Sequence, residues 1–164
     1  MTAAHPRITI RPETPVDIQP IARLLDAAFG GAVESRLVEA LRADGDLALS
    51  LVAEDAGGIV GHLALSPVAA PFPALALAPL AVTPGQQRRG IGAALVAAAQ
   101  ARRPDATIIV LGDPAYYDRF GFRPVAWDCA FSGPYLQAAG PHLPAQARLE
   151  YAPAFTREFP PEQS

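Results

Sequence analysis

The sequence feature that most constrains the fold is the stretch at residues 80–95, LAVTPGQQRRGIGAAL, which has the pattern of a strand end, a glycine-bearing loop and a helix start. A helix beginning near Gly90 would present the unpaired N–H groups of its first turn, and the positive end of its dipole, to an anion. Gly90 and Gly92 lack a Cβ, so a ligand could approach the main chain closely. Arg88 and Arg89 add cationic side chains that can bind phosphate oxygens. The stretch therefore predicts a phosphate-binding loop.

The spacing of the glycines separates three kinds of phosphate-binding loop. The sequence has no Gly-x-x-x-x-Gly-Lys-Ser/Thr, which excludes a nucleotide triphosphatase loop. A dinucleotide fingerprint would need a small residue where Leu95 stands. The remaining pattern, Gln87-x-x-Gly90-x-Gly92 after an apolar strand, resembles the acyl-CoA pyrophosphate loop of the GNAT superfamily of N-acetyltransferases. An ordinary strand-to-helix turn with two glycines is the structural alternative.

A second segment supports the same resemblance. Residues 110–122 resemble the fifth strand, the short helix and the Tyr-x-x-x-Gly-Phe ending of that family, with Tyr117, Gly121 and Phe122 at the motif positions. The resemblance covers roughly residues 8–122 and is specific only over these two segments. It implies an α/β fold (α+β by some schemes), with a mixed, twisted sheet flanked by helices and splayed between its fourth and fifth strands.

The hydrophobic periodicity supplies elements for this fold. A single domain at 1–164 is expected, with a frayed tail at 160–164. Thr14, Pro15 and Asp17 have the spacing of a helix N-terminus with a capping box. The predicted strands are 8–11, 48–54, 59–66, 74–82 and 107–111, the last parallel to its predecessor. The predicted helices begin after Thr14, at Val33 and at about Gly90. Residues 129–131 and 147–151 could form an antiparallel terminal pair.

The resemblance assigns acetyl-CoA as the co-substrate. Backbone groups of Leu80, Ala81 and Val82 would hold the pantetheine arm. Pro79 suits this strand because it lacks an N–H and would sit at the edge that the splay creates. The pyrophosphate would be held by the loop residues Gln87, Arg88, Arg89, Gly90, Ile91 and Gly92.

Tyr117 is the predicted catalytic residue, because it occupies the tyrosine position that lies beside the coenzyme sulfur in the family. A phenol with a pKa of about 10 is protonated at pH 7 and can donate a hydrogen bond to a thiolate whose pKa is about 8.5. Full proton transfer would be uphill by about 2 kcal/mol. The alternative for Tyr117 is a tyrosine that anchors a short helix, and Tyr116 is expected in the core.

The general base is not assigned by the sequence. Many family members have a glutamate in the fourth strand, but residues 74–82 contain no ionisable side chain. A base acting through water could be Glu34, Glu54, His62 or Asp113, although each also suits a structural role. Without a strong base, an acceptor amine of low pKa is favoured. A small-molecule or α-amino acceptor is therefore expected rather than lysine in a folded protein.

Composition and charge bear on the partners and the location of the protein. Thirteen basic and sixteen acidic residues give a net charge of −3, so no nucleic-acid partner is expected. Prolines 71, 73 and 79 interrupt the apolar stretch at 69–80, so no membrane partner is expected. The first six residues lack a secretion-signal pattern, which predicts a cytoplasmic protein. No bound metal is expected. The protein is expected to be a monomer or a homodimer. A catalytically silent acyl-CoA-binding regulatory module of the same fold is the functional alternative.

Overall fold

The computed structural model describes residues 7–160. The strands are Thr9–Pro12 (β1), Leu49–Asp55 (β2), Gly58–Ala69 (β3), Ala74–Val82 (β4), Thr107–Leu111 (β5), Arg123–Pro124 (β6), Leu136–Ala139 (β7) and Glu150–Tyr151 (β8). The α-helices are Ile18–Phe29 (α1), Val33–Asp44 (α2), Ile91–Arg102 (α3), Pro114–Tyr117 (α4) and Pro153–Glu158 (α5). Short 3-10 turns at Pro15–Asp17 and Asp118–Phe120 precede α1 and follow α4. Except for Pro160, the predicted tail lies outside the described residues, as do the first six residues.

The strands form one mixed sheet in the order β1-β2-β3-β4-β5-β7-β6, with β8 paired to the far end of β3. All strand pairs are antiparallel except β4 and β5, which run parallel. The predicted mixed α/β fold is therefore confirmed, and so is the predicted parallel pair. None of the helices in residues 7–160 has the length and apolar character that a membrane crossing requires.

Helices cover both faces of the sheet. The α3 side chains Ile91, Leu95 and Ala99 pack on one face in a core that includes β2, β3 and β5. Helices α1 and α2 pack on the other face against residues such as Val52 and Ala64. Gly61 in β3 lets α3 approach closely, because a Cβ there would lie 2.9 Å from Cγ2 of Ile91. The glycine thus fixes how near the phosphate loop's helix sits to the sheet.

The sheet opens between β4 and β5. Their pairing runs from Ala74 opposite Thr107 to Leu77 opposite Val110 and ends there, although β4 continues to Val82. An irregularity in the β3–β4 register between Leu63 and Leu65 accompanies the opening. Pro79 lies in the part of β4 beyond the end of its pairing with β5. A residue without an N–H is tolerated at a strand edge that has no neighbouring strand. The last residues of β4 therefore have one edge paired to β3 and one edge free.

The predicted antiparallel pair of residues 129–131 and 147–151 is wrong. Cys129–Phe131 is a turn, in which the Cys129 N–H donates to Ser132 Oγ at 2.8 Å. The preceding residue, Asp128, makes a single parallel bridge to Arg148, and the rest of the expected partner segment contributes Glu150–Tyr151 to β3. The buried strand β5 needs a neighbour on its outer edge, and the buried residues of β7 supply that pairing.

Candidate functional site

A cavity of about 610 Å³ lies where β4, the glycine-bearing loop and the start of α3 meet, and we call it the phosphate cleft. It is lined by Leu80, Ala81, Val82, Gln86, Gln87, Arg88, Gly90, Ile91, Gly92, Ala93, Tyr116 and Arg119. The structure thus brings together every residue predicted for the coenzyme except Arg89, whose exposed side chain is outside this lining. The role of Arg89 stays a prediction.

The start of α3 supplies hydrogen-bond donors to the phosphate cleft. Gly90 is the N-cap residue with a φ of +79°, and no side chain caps the helix. The N–H groups of Ile91 and Gly92 are therefore available to a ligand. Arg88 also has a left-handed backbone conformation, with a φ of +69°. A non-glycine residue in that region is uncommon and points to a loop shaped for function.

Tyr116 and Arg119 are cleft residues that the sequence reasoning missed. Tyr116 packs against the core, as expected, but it also lines the cleft. The Arg119 guanidinium carbon lies 4.4 Å from the centre of the Tyr116 ring. The three-residue spacing of Tyr116 and Arg119 predicts that the two side chains lie on the same side of a helical turn. Gly92 accommodates this arrangement, since a Cβ there would lie 2.8 Å from the Tyr116 hydroxyl oxygen.

The free edge of β4 faces the opening in the sheet. Leu80, Ala81 and Val82 pair with Leu63, His62 and Gly61 of β3 on one side. On the other side they have passed the end of the β5 pairing. Alternate N–H and C=O groups of a strand point to opposite edges, so this edge can pair with an extended ligand.

A second cavity of about 380 Å³, here called the apolar groove, adjoins the same opening. Its walls include Phe29, Phe131, Phe155 and Phe159, and Leu80 lines both this groove and the phosphate cleft. Glu34 and Tyr117 also line the groove. The two cavities therefore adjoin at Leu80.

Tyr117 is held firmly beside the opening. Only 8% of its surface is exposed, and its ring packs edge-on against Tyr116 and Phe122. A Cβ on Gly112 would lie 2.5 Å from Cε2 of Tyr117, so glycine is needed for the ring to occupy this place. Burial, with a smaller contribution from Tyr116, raises the pKa of Tyr117 to about 12. The phenol is therefore protonated at every physiological pH.

Three of the four candidate bases serve other roles in the structure. Glu54 binds Arg11 at 3.0 Å on the first strands of the sheet. The Asp113 side chain accepts a hydrogen bond from the Ala115 N–H at 2.9 Å and so caps α4. Neither residue lines the phosphate cleft or the apolar groove.

His62 is a buried structural imidazole. It has no exposed surface, and its Nε2 lies 2.8 Å from Ser50 Oγ. Burial, together with the charge of Arg42, lowers the pKa of His62 to about 3. Glu34 is thus the one of the four candidates that lines a cavity at the opening in the sheet.

The described residues do not suggest a metal centre. Among residues 7–160, no three His, Cys, Asp or Glu side chains are grouped so that they could hold a metal ion.

Known proteins resemble this chain in sequence and architecture. A family model described as an acetyltransferase (GNAT) domain matches residues 46–124. The uncharacterized N-acetyltransferase YhbS of Escherichia coli strain K12 is 40% identical over 120 residues, which cover 69% of this chain and 72% of YhbS. The crystal structure of YhbS in complex with CoA has a TM-score of 0.84 at 31% identity, covering 96% of each chain.

A second solved structure supports the same assignment. A GNAT family acetyltransferase from Brucella melitensis, in complex with acetyl-CoA, has a TM-score of 0.78 at 37% identity. The match covers 92% of this chain and 99% of that one. With a loop, an opening in the sheet and a Tyr-x-x-x-Gly-Phe segment arranged as described, the chain belongs to the GNAT superfamily of N-acetyltransferases.

Proposed function

We propose that residues 1–164 form one catalytic domain that transfers the acetyl group of acetyl-CoA to a small-molecule or α-amino primary amine. The observation that carries this proposal is that the phosphate cleft and the apolar groove adjoin at Leu80, with Tyr117 lining the groove. The similar proteins from Escherichia coli and Brucella melitensis, solved with CoA and acetyl-CoA, support the co-substrate. Cytoplasmic residence and a monomeric or homodimeric state remain predictions.

In the proposed reaction, the amine attacks the thioester carbonyl directly, while both substrates are bound. A C–N bond forms and the C–S bond breaks, so that an ammonium and acetyl-CoA yield an acetamide, CoA thiol and one proton. The N–H groups at the free edge of β4 are suited to receive the developing oxyanion. The pyrophosphate would lie on the loop from Gln87 to Gly92, against the N–H groups of α3.

Tyr117 would donate a hydrogen bond to the departing sulfur. With its pKa at about 12, complete proton transfer to a thiolate of pKa about 8.5 is uphill by about 5 kcal/mol. This is a larger gap than the 2 kcal/mol expected for an unperturbed phenol. Tyr117 therefore acts in the proposal as a neutral hydrogen-bond donor, and the thiolate takes its final proton from solvent.

The absence of a strong base in β4 favours an amine that is neutral at pH 7. A lysine amine of pKa about 10.4 is neutral in roughly one molecule in 2,500, whereas an α-amine of pKa about 7.8 is neutral in about one in seven. We therefore place α-amino compounds and small-molecule amines before lysine side chains of folded proteins.

The test is CoA release from acetyl-CoA in the presence of a panel of amines. The panel contains small primary amines, peptides with a free α-amine and peptides whose only amine is lysine. The proposal expects turnover with the first two classes and little with the third. Tight binding of acetyl-CoA without turnover on any amine would favour the catalytically silent regulatory module.

A further inference from the structure

The apolar groove brings several exposed apolar side chains together in one concave place. Six large apolar side chains are exposed among residues 7–160, and three of them, Phe29, Leu111 and Phe159, line this groove. They are 46%, 42% and 36% exposed, respectively. Exposed apolar surface concentrated in one concave place is typical of a site that a ligand covers.

The groove carries one acidic charge. Glu34 lies in the first turn of α2, and none of the other groove residues is Asp, Lys, Arg or His. Within residues 7–160, Glu34 has no ion-pair partner, unlike Asp44 and Glu158, which pair with Arg157 and Arg36. A half-buried carboxylate in an apolar cavity is complementary to a small organic cation.

Part of the groove's wall comes from segments of the chain that do not line the phosphate cleft. The cleft lies within residues 46–124, which the GNAT family model matches. Phe29, Glu34, Phe131, Phe155 and Phe159 all lie outside that range. The phosphate cleft thus lies within the range that the family model matches, whereas six of the thirteen groove residues come from segments outside that range.

We propose that the acceptor is a small primary amine carried on an apolar alkyl or aryl group. The apolar group would occupy the phenylalanine-lined groove, and the ammonium would meet the carboxylate of Glu34 before the nitrogen reaches the thioester near Leu80. This inference rests on the proposed acetyl transfer and adds the class of acceptor to it. The step itself is the one given above: the C–N bond forms, the C–S bond breaks, and one proton is released.

The apolar walls of the groove can favour the neutral form of the amine without a general base. Removing an ammonium from water disfavours its charged form, so an amine that moves from Glu34 into the phenylalanine-lined part of the groove loses its proton more readily. Aromatic side chains provide this apolar contact with little loss of conformational freedom. The site would therefore attract the cation at one place and favour the neutral amine at another.

The first test is a homologous series of n-alkylamines from ethylamine to octylamine, with 2-phenylethylamine added. Each methylene that enters the groove should raise kcat/KM about four-fold until the groove is filled. 5-Amino-1-pentanol, a primary amine of similar pKa whose chain ends in a polar hydroxyl, should react at least twenty-fold more slowly than hexylamine. A flat alkylamine series, or faster turnover of the polar amine, would overturn the inference.

The second test is Glu34→Gln, with Glu39→Gln as the matched control. Glu39 lies on the same helix but is exposed and outside the groove. Glu34→Gln should raise KM for hexylamine at least ten-fold and leave KM for acetyl-CoA unchanged, and the control should alter neither. Hexanol has no charge, so its inhibition constants for the Glu34→Gln variant and for the wild type should agree within three-fold. If Glu34→Gln weakened the binding of hexylamine and of hexanol by the same factor, a contact between the ammonium and the Glu34 carboxylate would be contradicted.

The outcomes separate this inference from the proposed function. Turnover of polar amines alone leaves acetyl transfer standing and overturns the apolar acceptor. Acetyl-CoA binding, measured by calorimetry, without turnover of any amine overturns both. A homodimer that Phe29→Ser converts to monomers, with no dependence of the rate on alkyl chain length, would show that a second copy covers the groove instead.

Discussion

Arg119 brings to the phosphate cleft a cation that the loop motif does not contain. Its guanidinium rests on the Tyr116 ring and lines the cleft. Arg119→Gln should weaken acetyl-CoA binding about five-fold, because an exposed charged contact to a phosphate contributes about 1 kcal/mol. Calorimetric titration with acetyl-CoA measures the change. Arg123→Gln is the control, since Arg123 is exposed and outside the cleft. Equal Kd values for the two variants would contradict the role of Arg119.

His62 should remain neutral throughout the physiological pH range. Its pKa of about 3 in the folded chain is well below the usual 6.5, so only the unfolded chain takes up a proton as the pH falls below 6.5. The free energy of unfolding should therefore decrease from pH 6.5 towards pH 3, by up to about 1.4 kcal/mol per unit. The NMR shifts of the His62 ring should be constant between pH 5 and 8. A transition within that range would show that the imidazole is accessible and restore it as a candidate base.

The residues of the site differ in how far the sequence could predict them. The loop residues from Gln87 to Gly92 follow from a local motif, because helix N-termini bind phosphate wherever they occur. Arg119 could have been found from its three-residue spacing to Tyr116. By contrast, Phe131 and Phe155 come from segments with no motif, and only long-range packing brings them to Glu34.

Helix α3 depends on one glycine for its distance from the sheet. A Cβ at Gly61 would lie 2.9 Å from Ile91 Cγ2 and 3.0 Å from Leu95 Cδ1, both in a tightly packed core. Gly61→Ala should destabilise the fold by about 1–3 kcal/mol. It should also weaken acetyl-CoA binding, because Ile91 begins the helix whose N–H groups face the cleft.

Thermal unfolding and acetyl-CoA titration of Gly61→Ala check both effects. Gly31→Ala is a suitable control, since nothing lies within 4 Å of a Cβ placed there. If Gly61→Ala matched the control in Tm and in Kd, the close approach of α3 would not be required for either property.

The local sequence pattern predicts some strands of the sheet and not others. The bounds of β4 and β5 follow from their apolar runs, and Pro79 predicts the free edge of β4. β7 was missed because four residues are too few for a recognisable alternation. Its place is determined by the outer edge of β5, a pairing between distant parts of the chain that no local signal specifies.

The whole molecule divides into two sides that meet at the opening in the sheet. The coenzyme side lies within the region that the family model matches, and it could be anticipated from two motifs. The groove side adds α1, α2, the segment after β6 and the chain around α5 to residues of β4, β5 and α4, and this combination could not be assembled from the sequence. Tyr117, from the second motif, lines the groove beside Leu80, the residue that the two cavities share.

Tyr117→Phe tests this arrangement most directly, because it removes the hydroxyl and keeps the ring. With acetyl-CoA and an accepted amine, kcat should fall about 100-fold, as for loss of a positioned donor to a leaving group, while the Kd for acetyl-CoA changes less than three-fold. Tyr135→Phe, which removes a hydroxyl from a side chain that is 62% exposed, should leave both values unchanged. An undiminished kcat in Tyr117→Phe, with acetyl-CoA still bound, would contradict the assignment of Tyr117 as the donor to the departing sulfur.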